Sequence, residues 1–325
     1  MTTSQATTTA ASTPTAASTP TATPTPTAGL TEAAARATLR AACAAAGLEP
    51  AGARLLRLGE NAVFALAGRP VVVRVSRAAA LPRARRELAV ARWLERVGFP
   101  AVRALPDVPG PSLLDGRVVT FWRELPDHGG TAPFPALAEA LRGLHELPAE
   151  DAPPLPALDP VAEVAGHLAQ AGGAPVPEAD LEFLRQRVTE LREETAALRP
   201  ELPAGPVHGD AHKGNYLRAA DGSAVLIDLE HVAHGPREWD LATAFGIPYR
   251  GFGWLGEDDY RRAVRAVGFD VVAWPGFDVL LRLRLTAMTT ALLRDTPHDP
   301  AARAEFARRV ATLRGGTDAS GWRRG

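Results

Sequence analysis

The stretch His208-Gly209-Asp210-Ala211-His212-Lys213-Gly214-Asn215, followed by Ile227-Asp228-Leu229-Glu230, decides how the rest of the chain is read. Asn215-Tyr216-Leu217 and Ala224-Val225-Leu226-Ile227-Asp228 are strand-like, and Asp221-Gly222-Ser223 between them is a turn signal. A hairpin centred between residues 221 and 222 sets Asn215 opposite Asp228, with Cβ atoms about 4.5–5.5 Å apart. One amide oxygen and one carboxylate then converge on a point. Such hard oxygen donors suit Mg²⁺, with phosphate oxygens and water completing its octahedron. A bulge in the turn shifts this register.

Upstream, residues 31–47 read as a helix, with Thr31 as N-cap and Gly47 as stop. Strand-like runs follow at 53–58, 62–67 and 70–76, the last being Pro70-Val71-Val72-Val73-Arg74-Val75-Ser76. Pro82 opens a helix ending near Gly98, in which Leu88, Ala91, Leu94 and Val97 recur at three-residue steps. Two more strands are expected near 101–106 and 117–123. Past Pro126 the pattern turns helical: 135–147, 161–171, 177–198, 237–245, 257–267, 277–294 and 300–314, interrupted by the β segment at 215–230. A β-rich first part with one inserted helix, joined to a mainly α second part, is an α+β arrangement. The expected organisation is a tail at 1–28, an N-terminal lobe at 29–125 and a C-terminal lobe at 126–325.

Composition narrows the function classes. The 325 residues carry a net charge of −1, without the basic surplus of a nucleic-acid binder. A single cysteine, Cys43, excludes an internal disulfide and cysteine-based zinc sites. No apolar run approaches the length of a membrane span. Residues 1–28 are Thr-, Ala-, Ser- and Pro-rich, with no aromatic and no charged side chain. That composition predicts a disordered tail, not a secretory signal, and a cytoplasmic protein. The 36 basic residues include one lysine, Lys213, so any other role for a fixed cation falls to arginine.

Asp210 lies five residues before Asn215, the interval that separates the catalytic Asp of protein kinases from their metal-binding Asn. The ordered set His208-Gly209-Asp210-x-His212-x-x-Asn215 plus Ile227-Asp228 resembles the aminoglycoside phosphotransferase family, small-molecule kinases related to choline kinase. The resemblance covers residues 55–245. It implies a two-lobed protein-kinase-like fold and transfer of the γ-phosphoryl of ATP, or GTP, to a hydroxyl of a small molecule with Mg²⁺. Aminoglycosides, other antibiotics, amino alcohols, sugars and amino acids are all candidate acceptors. It further implies Asp210 as acceptor of the hydroxyl proton, and Asn215 and Asp228 as metal ligands. Gly59 and Asn61 would lie in a nucleotide-covering turn. Arg74 would hold phosphate and pair with Glu87. Phe121 and Arg123 would lie in a hinge contacting adenine through its backbone. Arg74 stands where the family often has lysine.

Bland readings compete at several positions. Gly59 and Asn61 fit an ordinary hairpin turn, and Glu87 an exposed helix charge. Glu257-Asp258-Asp259 reads most simply as a helix N-terminus favoured by the helix dipole, or else as an acidic wall for a cationic substrate. Two other functions are open: a nucleotide-binding scaffold with weak or no turnover, and a metal-dependent hydrolase built on His208, Asp210 and His212.

Overall fold

Thr31 caps the first helix through its side chain, its Oγ1 accepting the Ala34 amide at 3.3 Å, and the helix α1 (Glu32–Ala45) ends before Gly47 at φ 65°. In this computed structural model residues 30–126, 130–316 and 318–322 are described; the tail at 1–28 lies outside them. β1 (Arg54–Leu58), β2 (Ala62–Ala65), β3 (Val71–Arg77), β4 (Ser112–Leu114) and β5 (Arg117–Arg123) form one antiparallel sheet in the order β1-β2-β3-β5-β4. Alternation along β3 divides its two faces. Val71, Val73 and Val75 are buried in a core shared with Leu39 and Cys43 of α1, Phe64 and Phe121. Val72 and Arg74 are half-buried. Each such core side chain contributes roughly 1.5–3 kcal/mol.

The inserted helix α2 (Leu81–Arg96) follows β3, with Pro82 in its first turn. It buries Leu88, Ala91, Trp93 and Leu94 in a second, larger core. That core joins the sheet to α3 (Phe134–His145), α4 (Pro160–Ala169), α5 (Glu178–Ala197), α6 (Arg237–Leu241), α7 (Ile247–Arg250), α8 (Glu257–Val267), α9 (Phe277–Thr290) and α10 (Pro300–Gly315). Two small antiparallel pairs complete the α+β fold: β6 (Gly205–Val207) with β9 (Ala233–Gly235), and β7 (Tyr216–Arg218) with β8 (Ala224–Leu226). None of the described helices is long and apolar enough to cross a membrane.

Three expectations are corrected. The run 101–106 is extended but is not a strand, because its hydrogen bonds are divided between two neighbours. Val102 N donates to Leu226 O at 2.7 Å, while Leu105 N donates to Phe121 O at 3.0 Å. The segment thereby stitches β5 to β8. The helix expected at 237–245 is broken by a π-helical turn at Ala242–Gly246. A Cβ on Gly246 would lie 2.6 Å from the Phe277 ring, so glycine permits close packing there. Lastly, β4 was not expected; it leads into β5 through Asp115 and Gly116, both at positive φ (48° and 70°), the conformation of a tight two-residue hairpin turn.

Candidate active site

Asp240 of α6 is fully buried and organises the loop before β7. Its Oδ2 accepts the His208 amide at 2.7 Å and hydrogen-bonds His145 Nε2 at 2.9 Å, while Oδ1 accepts the Gly209 amide at 3.0 Å. Trp239 Nε1 donates to Gly209 O at 2.7 Å. Gly209 sits at φ 81°, and a Cβ there would fall 2.3 Å from the His231 carbonyl oxygen, so no side chain fits. The His208 ring ties two limbs together. Nε2–H donates to Ile227 O at 3.1 Å, and Nδ1 accepts the Asp210 amide at 3.4 Å. Both ring nitrogens are thus used inside the protein. Among the described residues no group of three or more His, Cys, Asp and Glu is set to hold a metal ion. The His-Asp-His hydrolase reading therefore lacks its ligand set.

Asp210 emerges from this loop with 23% of its side chain exposed. Asn215 Nδ2 donates to its carbonyl at 3.0 Å and to Oδ2 at 3.4 Å. His212 Nδ1 accepts the Gly214 amide at 3.1 Å, so its Nε2 carries the proton and approaches Asp210 Oδ2 at 3.4 Å. On the other oxygen, Arg284 of α9 donates from Nη2 to Oδ1 at 2.7 Å. Burial on its own pushes the Asp210 pKa up. The Arg284 guanidinium, with His212 and His231, outweighs burial and holds it well below the usual carboxylate range.

The β7–β8 register differs by one residue from the expected pairing. Tyr216 opposes Leu226, Arg218 opposes Ala224, and Ile227 N donates to Asn215 O at 3.0 Å. The turn has three residues, closed by Gly222 at φ 85° with Asp221 Oδ1 accepting the Ser223 amide, so its centre falls on residue 221. Asn215 therefore faces Ile227, and Asp228 lies one step further on. Asp228 itself adopts a left-handed conformation, φ 59° and ψ 56°, which re-aims its side chain. Its half-buried carboxylate has no hydrogen bond or ion pair among the described residues. Burial raises its pKa, and Glu230 raises it further, against the opposing charges of Arg74 and His231. An unpaired, hard oxygen donor in a partly dry setting fits a divalent cation. The Asn215 amide oxygen is a second such donor, since Nδ2 is committed to Asp210.

Across the cleft, Arg74 Nη2 bonds Glu87 Oε2 of α2, and its guanidinium lies over the Trp122 ring at 5.5 Å. Glu87 is 2% exposed, so it is no surface charge. Burial lowers the Arg74 pKa, against the attraction of Glu230 and Asp228. Gly59 and Asn61 form the turn between β1 and β2, with Gly59 N donating to Asn61 O at 3.1 Å. The intervening Glu60 accepts from Arg294 Nη1 at 2.6 Å, reaching the helical part of the molecule. The segment expected as a hinge is largely hydrogen-bonded to its neighbours. The Phe121 carbonyl is taken by Leu105 N, and the Arg123 amide donates to Arg103 O at 2.9 Å. Sheet pairing thus uses these backbone groups of Phe121 and Arg123, and the Glu124 amide donates to Pro70 O at 2.8 Å.

Four titratable residues at this site, Arg83, Glu230, His231 and Arg284, were given no role from the sequence. Arg83 of α2 bonds Glu230 at 3.2 Å, and His231 lies 3.4 Å from the same carboxylate. Burial pushes the Glu230 pKa up, but His231, Arg83 and Arg74 draw it down to about 2. Arg284 is the fourth. Its one available signal was a charged residue set between Leu283 and Leu285, both fully buried.

Comparison with family models matches residues 53–280 to the phosphotransferase enzyme family. No curated protein matches the chain. Among solved structures, an amicoumacin kinase, hAmiN, in complex with AMP-PNP, Ca²⁺ and Ami has a TM-score of 0.68 at 14% identity, covering 90% of this chain and 98% of that one. The choline kinase LicA from Streptococcus pneumoniae has a TM-score of 0.60 at 15% identity, covering 85% and 98%. The aminoglycoside phosphotransferase APH(3'')-Id from Streptomyces rimosus has a TM-score of 0.55 at 20% identity, covering 75% and 97%. These likenesses establish a shared kinase-like fold. With the family match running from β1 into α9, the chain belongs to the phosphotransferase enzyme family.

Proposed function

We propose that this protein transfers the γ-phosphoryl group of ATP, or GTP, to a hydroxyl of a small molecule. The observation that carries this reading is the shared setting of Asp210, Asn215 and Asp228: one loop and one hairpin, with a charge-paired Asp210 beside an unpaired Asp228. Phosphoryl transfer needs an oriented nucleophile and fixed cations more than covalent chemistry. Asp210 accepts the hydrogen bond of the incoming hydroxyl and holds it in line. Its low pKa suits this work, because a loose transition state releases the proton late. Arg74, fixed by Glu87 and Trp122, binds phosphate oxygens. Asn215 and Asp228 hold Mg²⁺, which when bound supplies positive charge over the phosphates. The turn at Gly59–Asn61 covers the nucleotide, and the backbone at Glu124–Leu125 receives the base. The nucleotide lobe then runs over 29–125 and the acceptor lobe over 126–325. The test is calorimetry of MgATP binding to the parent and to Asp228→Ala, followed by an ADP-release screen across hydroxyl acceptors. Equal affinities would remove the metal assignment.

A further inference from the structure

The turn between β1 and β2 has little of its own to hold it. Residues 56–60 are all exposed, and β1 is an edge strand whose pairing with β2 shifts register between Leu55 and Arg57. A Cβ on Gly59 would meet nothing within 4 Å, so no neighbour packs against the turn there. A projecting two-stranded tip with so little burial is only marginally ordered by itself. Among the described residues, one side-chain hydrogen bond or ion pair is made by residues 54–63. It is that of Glu60, whose Oε2 accepts from Arg294 Nη1 at 2.6 Å, across 234 residues of sequence.

Arg294 stands on firmer support. It closes the 3-10 segment Ala291–Arg294 that prolongs α9. Leu293 before it is buried, as are Thr290 and Thr296 on either side. The Thr290 hydroxyl meets His167 Nδ1 of α4 at 3.1 Å, the Thr296 hydroxyl donates to Leu293 O at 2.9 Å, and Arg303 of α10 donates to Thr296 O at 2.7 Å. Arg294 Nε also meets Asp295 Oδ1 at 3.3 Å. A fixed cation thus holds the tip of an otherwise unanchored turn. Both side chains are well exposed, Arg294 at 59% and Glu60 at 57%. A pair so exposed is weak, which suits a cover that must open at every turnover. Arg294 also cancels the charge of a carboxylate that would otherwise repel the phosphates beneath the turn. We propose that the Glu60–Arg294 pair positions the nucleotide-covering turn, latching it to the end of α9 and slowing the escape of nucleotide. This rests on the kinase reading above. Glu60 and Arg294 are positioning residues and take no part in the transfer itself.

The test uses the full-length protein, the variants Glu60→Gln and Arg294→Gln, their double variant, and the exchanged pair Glu60→Arg with Arg294→Glu. Two quantities are measured at low salt. Backbone amide exchange across residues 54–65 reports the turn without nucleotide. Stopped-flow release of a fluorescent ATP analogue bound with Mg²⁺ reports escape. Each single variant should speed both by about 2- to 5-fold, the range of an exposed pair, with an unchanged melting temperature. The double variant should be no faster than either single one, because each residue acts through the other. The exchanged pair should recover much of the parental rates, and the differences should shrink in about 0.5 M salt. The inference is overturned if Arg294→Gln keeps parental exchange and release. Additive effects in the double variant overturn it too, since Glu60 and Arg294 would then act separately. Absence of MgATP binding in the parent is a separate outcome: it removes the kinase reading, and the latch with it, whatever amide exchange shows.

Discussion

Asp240 and His208 are joined by a hydrogen bond of 2.7 Å from the His208 amide to a carboxylate that is completely buried. With the Gly209 amide on its other oxygen, this carboxylate satisfies two adjacent donors that the turn leaves without helical or sheet partners. Asp240→Ala leaves both amides and His145 unsatisfied, at roughly 1–3 kcal/mol for each buried donor. We expect a clear fall in melting temperature and loss of turnover together. Thermal denaturation showing a parental midpoint for Asp240→Ala would mean that the loop holds itself.

Arg74→Ala strands the Glu87 carboxylate in a site where it is 2% exposed. Removing one member of a buried pair costs about 3–5 kcal/mol. MgATP affinity should fall by about 10- to 100-fold, the range of a charge-assisted contact. Arg74→Lys keeps a cation but loses the planar stack on Trp122, so it should bind MgATP within a few-fold of the parent. Calorimetry on the two variants checks this. Normal nucleotide binding and turnover by Arg74→Ala would show that the sheet face carrying Arg74 does not meet the phosphates.

The acidic groups give opposite pH dependences. The Asp210 and Glu230 pKa values are depressed, Glu230 to about 2, so their contribution is present above the ordinary carboxylate value and is lost as pH falls through the folded values. The Asp228 pKa is raised, so its contribution is present only below the ordinary value and is lost as pH rises through the folded one. At neutral pH, without metal, Asp228 therefore opposes folding. Asp228→Asn should raise the melting temperature of the metal-free protein by about 1–3 °C at pH 7 while abolishing Mg²⁺-dependent nucleotide binding. The gain should disappear near pH 3. A variant less stable than the parent at pH 7 would contradict the reading of Asp228 as an unpaired carboxylate.

Much of this architecture was legible in the sequence because it depends on local signals. Thr31 caps α1, Pro82 opens α2, and β3 alternates as its valines require. The set Asp210, Asn215 and Asp228 was legible as an ordered spacing. What escaped has identifiable causes. The turn after β7 has three residues rather than two, and this displaced Asp228 by one position from Asn215. The segment at 101–106 looks like a strand because each of its sides is hydrogen-bonded, but to different neighbours. Asp115-Gly116 was a strong hairpin signal that went unused. Arg284 reaches Asp210 across 74 residues of sequence, and no local pattern encodes a contact of that separation.

The most direct test of the central claim is the effect of Asp210→Asn on two quantities, MgATP affinity and kcat for ADP release with an acceptor from the screen. The substitution keeps shape and hydrogen-bond reach but removes the charge that receives the hydroxyl proton and pairs with Arg284. If Asp210 orients the acceptor and takes its proton, MgATP should bind about as tightly as to the parent. In the same variant kcat should fall by a factor on the order of 10²–10⁴. A near-parental kcat, or a loss of MgATP affinity as severe as that of Asp228→Ala, would contradict the mechanism.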